Sequence, residues 1–149
     1  MESNSVSLHR VIKANPEKVF RAFADPIAHS GWLPPYGFIC TVQQMDFKVG
    51  GTFKMTFINF STGNSHSFGG AYLEIKPNEI IKYTDRFDDP DLPGEITTTI
   101  RLNRVSCGTE LHVVQKGIPA VIPTEMCYLG WQESLEKLIK LVEPEIPDA

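Results

Sequence analysis

Few side chains in this sequence can do acid–base, nucleophilic or metal chemistry, and they are dispersed along it. Four histidines, His9, His29, His66 and His112, stand apart from one another, with no H-E-x-x-H or comparable ligand spacing. Each is expected to be structural or exposed, and His112, between Leu111 and Val113 on a strand, to face solvent. Cys40, Cys107 and Cys127 form no C-x-x-C pair, which argues against a zinc site or a disulfide framework and for reduced thiols. Cys40 and Cys127 fit the role of small buried hydrophobes. A catalytic site needs a nucleophile with its base, paired carboxylates or a metal cluster. None is visible, so no catalytic residue, metal ligand or cofactor is assigned. An ionisable group inside a core would have to be Asp85 or Tyr83. Asp85 adjoins Arg86, however, and strand neighbours point to opposite faces, so pairing of these charges across the sheet is expected.

What remains is aromatic. Trp32, Phe38, Phe53, Phe57, Tyr83 and Trp131, with Met55 and Cys127, are the candidate lining of an apolar cavity, since ligand pockets are mostly apolar with a few placed polar groups. Tyr83 offers a hydroxyl and Trp131 an indole N–H to orient a ligand. The same residues could equally fill a solid core, and their spacing does not decide between the two.

These side chains must be positioned by a particular order of elements. Leu8 to Ile12 reads as a first strand. Asn15-Pro16-Glu17 starts a short helix of about nine residues, with Asn able to cap and Pro suited to the first turn. Val19, Phe20 and Phe23 give that helix an apolar stripe, and Asp25-Pro26 is expected to stop it. Gly31 to Gly37 reads as a stiff aromatic loop around Trp32. Period-two alternation then predicts strands over 38–45, 52–60, 66–75, 80–87, 96–104 and 110–116. Phe53, Met55 and Phe57 point one way while Thr52, Lys54 and Thr56 point the other, so one face meets the core. Short gaps favour an antiparallel meander. Gly50-Gly51 and Gly69-Gly70 open no helix, which excludes a phosphate loop and suggests bends that curve the sheet.

From Thr124, a plausible cap, to Val142 the period becomes helical, a span of about 28 Å. Cys127, Trp131, Leu135, Leu138 and Val142 form its apolar stripe, with Ile139 alongside. A sheet with one apolar face needs a cover, and only this helix is long enough. The fold class is therefore α+β: a curved antiparallel sheet of about six or seven strands around a long C-terminal helix, with short helices after the first strand.

At 149 residues the chain suits one domain. Its 42% hydrophobic and 21% charged residues are ordinary for a globular protein, and no run of 18 apolar residues could span a bilayer. The N-terminus lacks the basic start and apolar stretch of a secretory signal, so a cytoplasmic location is expected. The net charge of −4 and scattered basic residues argue against nucleic acid. Lys137 and Lys140 stand among Glu133, Glu136 and Glu143, which reads as a solvated face. Monomer and homodimer both remain open.

The landmarks also resemble a known family. They are the run Ala14-Asn15-Pro16-Glu17-Lys18-Val19-Phe20-Arg21-Ala22-Phe23 with Asp25-Pro26, Trp32 with its prolines, and Phe47-Lys48-Val49-Gly50-Gly51-Thr52-Phe53. Glu74-Ile75-Lys76-Pro77, Tyr83-Thr84-Asp85-Arg86-Phe87 and Gly130 to Leu138 follow in order. From about Ser7 to Val142 the chain resembles homologues of the activator of heat-shock protein 90 ATPase, within the START-like (SRPBCC, birch-pollen-allergen-like) superfamily. The resemblance implies a helix-grip fold with a cavity between sheet and helix. It does not imply one function: related domains bind lipids, steroids or polyketides, sequester toxic compounds, act as cyclases or stimulate a chaperone. The leading expectation is a binding protein for a small hydrophobic or aromatic molecule, in transport, sequestration or stress detoxification. A co-chaperone of heat-shock protein 90 and a cyclase- or hydrolase-type enzyme rank below it.

Overall fold

The computed structural model describes residues 4–148. The chain begins with β1 (Ser5–Ile12), three residues earlier than its alternation suggested. In α1 (Pro16–Ala24) the Asn15 side chain accepts from the Lys18 N–H, Pro16 occupies the first turn, and Val19, Ala22 and Phe23 are buried. Asp25 does not simply end this helix. Its carboxylate also accepts from the Ile27 and Ala28 N–H groups, capping a second helix, α2 (Pro26–Trp32). Trp32 therefore ends a helix rather than lying in a loop. Proline's fixed φ suits a first helical turn as well as it disfavours helix in the residue before.

The remaining strands are β2 (Phe38–Met45), β3 (Thr52–Asn59), β4 (Ser65–Lys76), β5 (Ile80–Phe87), β6 (Ile96–Val105) and β7 (Gly108–Lys116). Together they form one antiparallel sheet in the order β1-β7-β6-β5-β4-β3-β2. It is a meander whose first strand has been carried to the far edge. Directly opposed residues share a face, so the register gives three inward rows. One runs Met55, Phe68, Phe87; the next Phe53, Gly70, Asp85, Ile96; the third Tyr72, Tyr83, Thr98, Gln115, Val6. Register shifts at Val42/Gln44 and Tyr72/Glu74 add curvature. Gly70 serves close approach: a Cβ there would stand 1.7 Å from the Thr84 carbonyl oxygen.

The last helix, α3 (Thr124–Val142), begins after Pro123, with no side-chain cap; Thr124 is its first residue rather than its cap. Trp131, Ser134, Leu135, Leu138 and Val142 are buried, joining Leu8, Ile12, Val19, Phe23, Ile100, Leu111 and Val113 in the core. Among the described residues the α3 backbone comes close to β1, α1 and α2 and to no other element. Helix and mid-sheet are thus bridged by side chains alone. Among the described residues no helix is long and apolar enough to cross a membrane.

Leu138 is fully buried where helix and sheet meet. Leu138→Ala is expected to cost about 2–5 kcal/mol, read as a lower denaturation midpoint with an unchanged slope in urea.

Candidate ligand cavity

Where α3 stands away from the middle strands, the side chains leave a cavity of about 200 Å³. Its floor is the inward face of the sheet: Phe53, Met55 and Phe57 from β3, Phe68 and Tyr72 from β4, Tyr83, Asp85 and Phe87 from β5. Its roof is the first half of α3, with Cys127, Gly130, Trp131 and Ser134. The roof is shallow because two of these residues are small. A Cβ on Gly130 would meet only the Pro35 ring, at 3.9 Å.

The segment after α2 is strapped to this roof. Ser134 Oγ donates to the Leu33 carbonyl, Lys137 Nζ donates to Pro34 O at 2.8 Å, and Tyr36 N donates to Glu133 Oε1 at 3.1 Å. The lysine and glutamates of the solvated helix face thereby hold Leu33 and Pro35 against the cavity. Aromatic contacts hold the floor: Phe53 meets Tyr83 edge-on at 5.6 Å, Phe57 meets Phe68 at 4.9 Å, and Phe47 meets Tyr72 at 5.0 Å.

Six of the eight expected lining residues lie on the wall: Phe53, Met55, Phe57, Tyr83, Cys127 and Trp131. Trp32 and Phe38 do not. Trp32 is buried behind the wall, its indole N–H donating to Ala22 O at 2.9 Å and its ring packed against Phe23 and His29. It ties α2 to α1. Phe38 begins the edge strand, half-buried, with its ring 6.4 Å from Phe57.

Two polar wall residues carry the electrostatic interest. Asp85 was expected to pair across the sheet, and it does not. Arg86 faces outward to Glu95 at 3.6 Å, whereas Asp85 lies on the wall with its buried Oδ1 lacking any hydrogen-bond partner among the described residues. Burial pushes its carboxyl up to about 7, and no neighbouring charge opposes that shift. His29 on α2 is buried with neither ring nitrogen partnered, and burial lowers it to about 4, so it is neutral. Burial, with the Asp85 charge adding to it, also raises the Tyr83 hydroxyl far above its ordinary range. Gln115 Nε2 donates to Thr98 Oγ1 at 3.1 Å, and Thr98 is the cross-strand partner of Tyr83.

Neither Cys40 nor Cys127 is activated. Burial pushes Cys40 up to about 11 and raises Cys127 as well, the reverse of what a nucleophilic cysteine needs.

On the outer face, two histidines that look isolated in sequence come together. His9 on β1 lies directly opposite His112 on β7, with ring centroids 4.7 Å apart. Glu110 accepts from His9 Nε2 at 2.9 Å and stands 3.6 Å from His112 Nε2. His112 is half-exposed there.

A family model described as "Activator of Hsp90 ATPase homolog 1-like protein" matches residues 13–143. Among solved structures, a protein from Chromobacterium violaceum is 57% identical, covering 95% of this chain and 99% of its own, with a TM-score of 0.94. The AHSA1 protein from Silicibacter pomeroyi is 22% identical over 92% of this chain and 96% of its own, with a TM-score of 0.80. A Rhodobacter sphaeroides protein is 20% identical over 93% and 91%, with a TM-score of 0.82. The last two show the shared helix-grip fold. No curated protein matches the chain.

Asp85 and His29 give opposite pH slopes to stability. The raised carboxyl makes the folded state hold a proton that the unfolded state releases, so its penalty grows from about pH 4 to 7. The lowered imidazole makes the unfolded state bind the extra proton, so its penalty grows as pH falls from about 6.5 to 4. Denaturation across pH should therefore show Asp85→Asn gaining on the wild type as pH rises to 7. His29→Leu should gain as pH falls to 4. Each margin should change by up to about 1.4 kcal/mol per pH unit.

Proposed function

The chain belongs to the activator of Hsp90 ATPase homologue 1-like family, and on that footing we propose that it is a binding protein for a small hydrophobic molecule held between the sheet and α3. The observation that carries this reading is the unfilled volume itself. Protein interiors close up to crystal-like density, yet here aromatic side chains from three strands surround about 200 Å³ that Gly130 in the roof leaves open. An apolar cavity of roughly 150 Å³ accepts benzene, so the fitting ligand has one or two rings or a short branched chain. Transport, sequestration and detoxification all use such a site.

An enzyme would use Asp85 as its acid or base, because it is the ionisable wall residue with a carboxyl brought to about 7. Among the described residues no second side chain hydrogen-bonds its Oδ1, whereas an acid–base site needs a partner group in reach, and this favours binding over catalysis. The family description names activation of a chaperone ATPase. A co-chaperone would work through its outer surface, so filling the cavity would leave that activity intact.

Gly130→Leu extends a side chain into the open volume and should preserve or raise the melting temperature. The wild type should bind a hydrophobic fluorophore, displaced by small aromatic compounds, and the filled variant should lose both effects. Trp131→Ala and Phe57→Ala should change the affinities. Saturable binding that survives unchanged in all three folded variants would place the ligand elsewhere.

A further inference from the structure

The cavity is apolar almost throughout, so the position of its one unpaired acid restricts what it can hold. Buried polar groups in folded proteins are almost always hydrogen-bonded, and an unpaired carboxylate is among the costliest exceptions. Asp85 Oδ1 is such an exception, and its residue lines the cavity wall. Among the described residues nothing supplies the missing partner. The cross-strand neighbours of Asp85 are Gly70, which has no side chain, and Ile96, which has no donor. Gln115, on the same wall, spends its amide on Thr98.

Neither does the protein supply a counter-charge. Arg86 turns to Glu95 on the opposite face, and Lys54 pairs with Asp88. His29, also buried on the wall, is neutral, and burial keeps the Tyr72 and Tyr83 hydroxyls protonated. The inward row thus sets an acid opposite a glycine that offers it no side-chain partner, with phenyl rings in the rows around it.

We propose that the ligand is a small apolar amine, bound with its ammonium group donating to Asp85 and its hydrocarbon body among Phe53, Phe57, Phe68 and Trp131. The proposal rests on the cavity reading above and specifies its ligand class. An ammonium supplies both the donor and the charge that Asp85 lacks, and aromatic faces favour a cation nearby. A neutral aromatic fills the volume but leaves the acid unsatisfied, and a carboxylic acid adds repulsion.

Benzylamine, benzyl alcohol, toluene and phenylacetate form a matched set, titrated into the intact protein at mildly alkaline pH with chemical-shift mapping and calorimetry. Benzylamine should bind about tenfold or more tighter than benzyl alcohol, and phenylacetate weakest. Asp85→Asn, which removes a desolvated charge and should stay folded, should erase the amine preference while toluene still binds. Toluene binding without an amine advantage, or an advantage that survives Asp85→Asn, would overturn the amine proposal alone. Failure of every probe, neutral and charged, would remove the cavity reading together with it.

A second observation stands apart from the cavity. On the outer face, donor atoms of His9, Glu110 and His112 all lie within 4.8 Å of one another. Ligands of a tetrahedral zinc ion, at about 2.0–2.1 Å from the metal, stand roughly 3.3 Å apart. The Glu110 oxygens lie 2.9 and 3.6 Å from the two imidazole Nε2 atoms, on either side of that value. Two backbone-paired strands fix the three residues, and solvent reaches the remaining coordination position. Arg101 opposes His112 from β6, on the side away from His9.

The geometry points to a surface site for a divalent transition metal such as zinc. Titration with zinc chloride by calorimetry should give one ion per chain and a higher melting temperature. His9→Ala, His112→Ala and Glu110→Gln should each weaken binding about tenfold or more, while Cys107→Ser leaves it unchanged. Absence of binding at roughly 0.1 mM free zinc, or unaltered binding in the double histidine variant, would overturn the assignment.

Discussion

The docking of one helix against a sheet wider than itself governs this structure. A seven-stranded sheet with a single apolar face must be covered, and α3 is the long element available to cover it. The helix settles toward the β1 edge, where Leu135, Leu138 and Val142 complete the core with Leu8 and Ile12. Its first half lies over strands that its backbone does not approach. There the helix lines the cavity with the small residues Cys127, Gly130 and Ser134 beside Trp131. One element therefore closes the core at one end and leaves the cavity at the other.

That cavity has a consistent electrostatic character. Removing Asp85, His29 and Tyr83 from water disfavours the charged form of each, and the shifts all run in that direction. A wall lined in this way holds little charge of its own around neutral pH. Asp85 is the exception, because its ionisation there is nearly balanced and is open to whatever enters. The strap from Leu33 to Tyr36 shows the complementary arrangement: its hydrogen bonds to Glu133, Ser134 and Lys137 lie at the rim, satisfied by protein.

Much of this was legible in the chain. Period two located the strands, the switch to a helical period located α3, and the family landmarks anticipated the grip. What escaped notice depended on local chemistry with two readings, or on pairing between distant segments. Asp25-Pro26 serves equally as a stop and as a start, and only the observed hydrogen bonds to Ile27 and Ala28 distinguish the two. Asp85 shares its alternation with Ile81, Tyr83 and Phe87, so its inward direction was present in the pattern. The adjacent Arg86 suggested a surface pair instead. Trp32 lies one helical turn from His29, and its bulk serves the junction of α1 and α2 rather than the wall. The meeting of His9 with Glu110 spans 101 positions, and no spacing rule reaches that far without the register of β1 on β7.

That same long-range pairing bears on how the protein is made. β1 finds its partner only after β7 exists, and α3 is the last of the described elements to leave the ribosome. Non-local pairings of this kind make for slow folding. Until they close, the rows of phenylalanine and tyrosine form an uncovered apolar surface of the sort that draws chains together. The cavity is therefore a late product of assembly. A small molecule that fits it cannot template the early steps, but it can favour the finished chain by mass action and so influence how much of the protein survives in the cell.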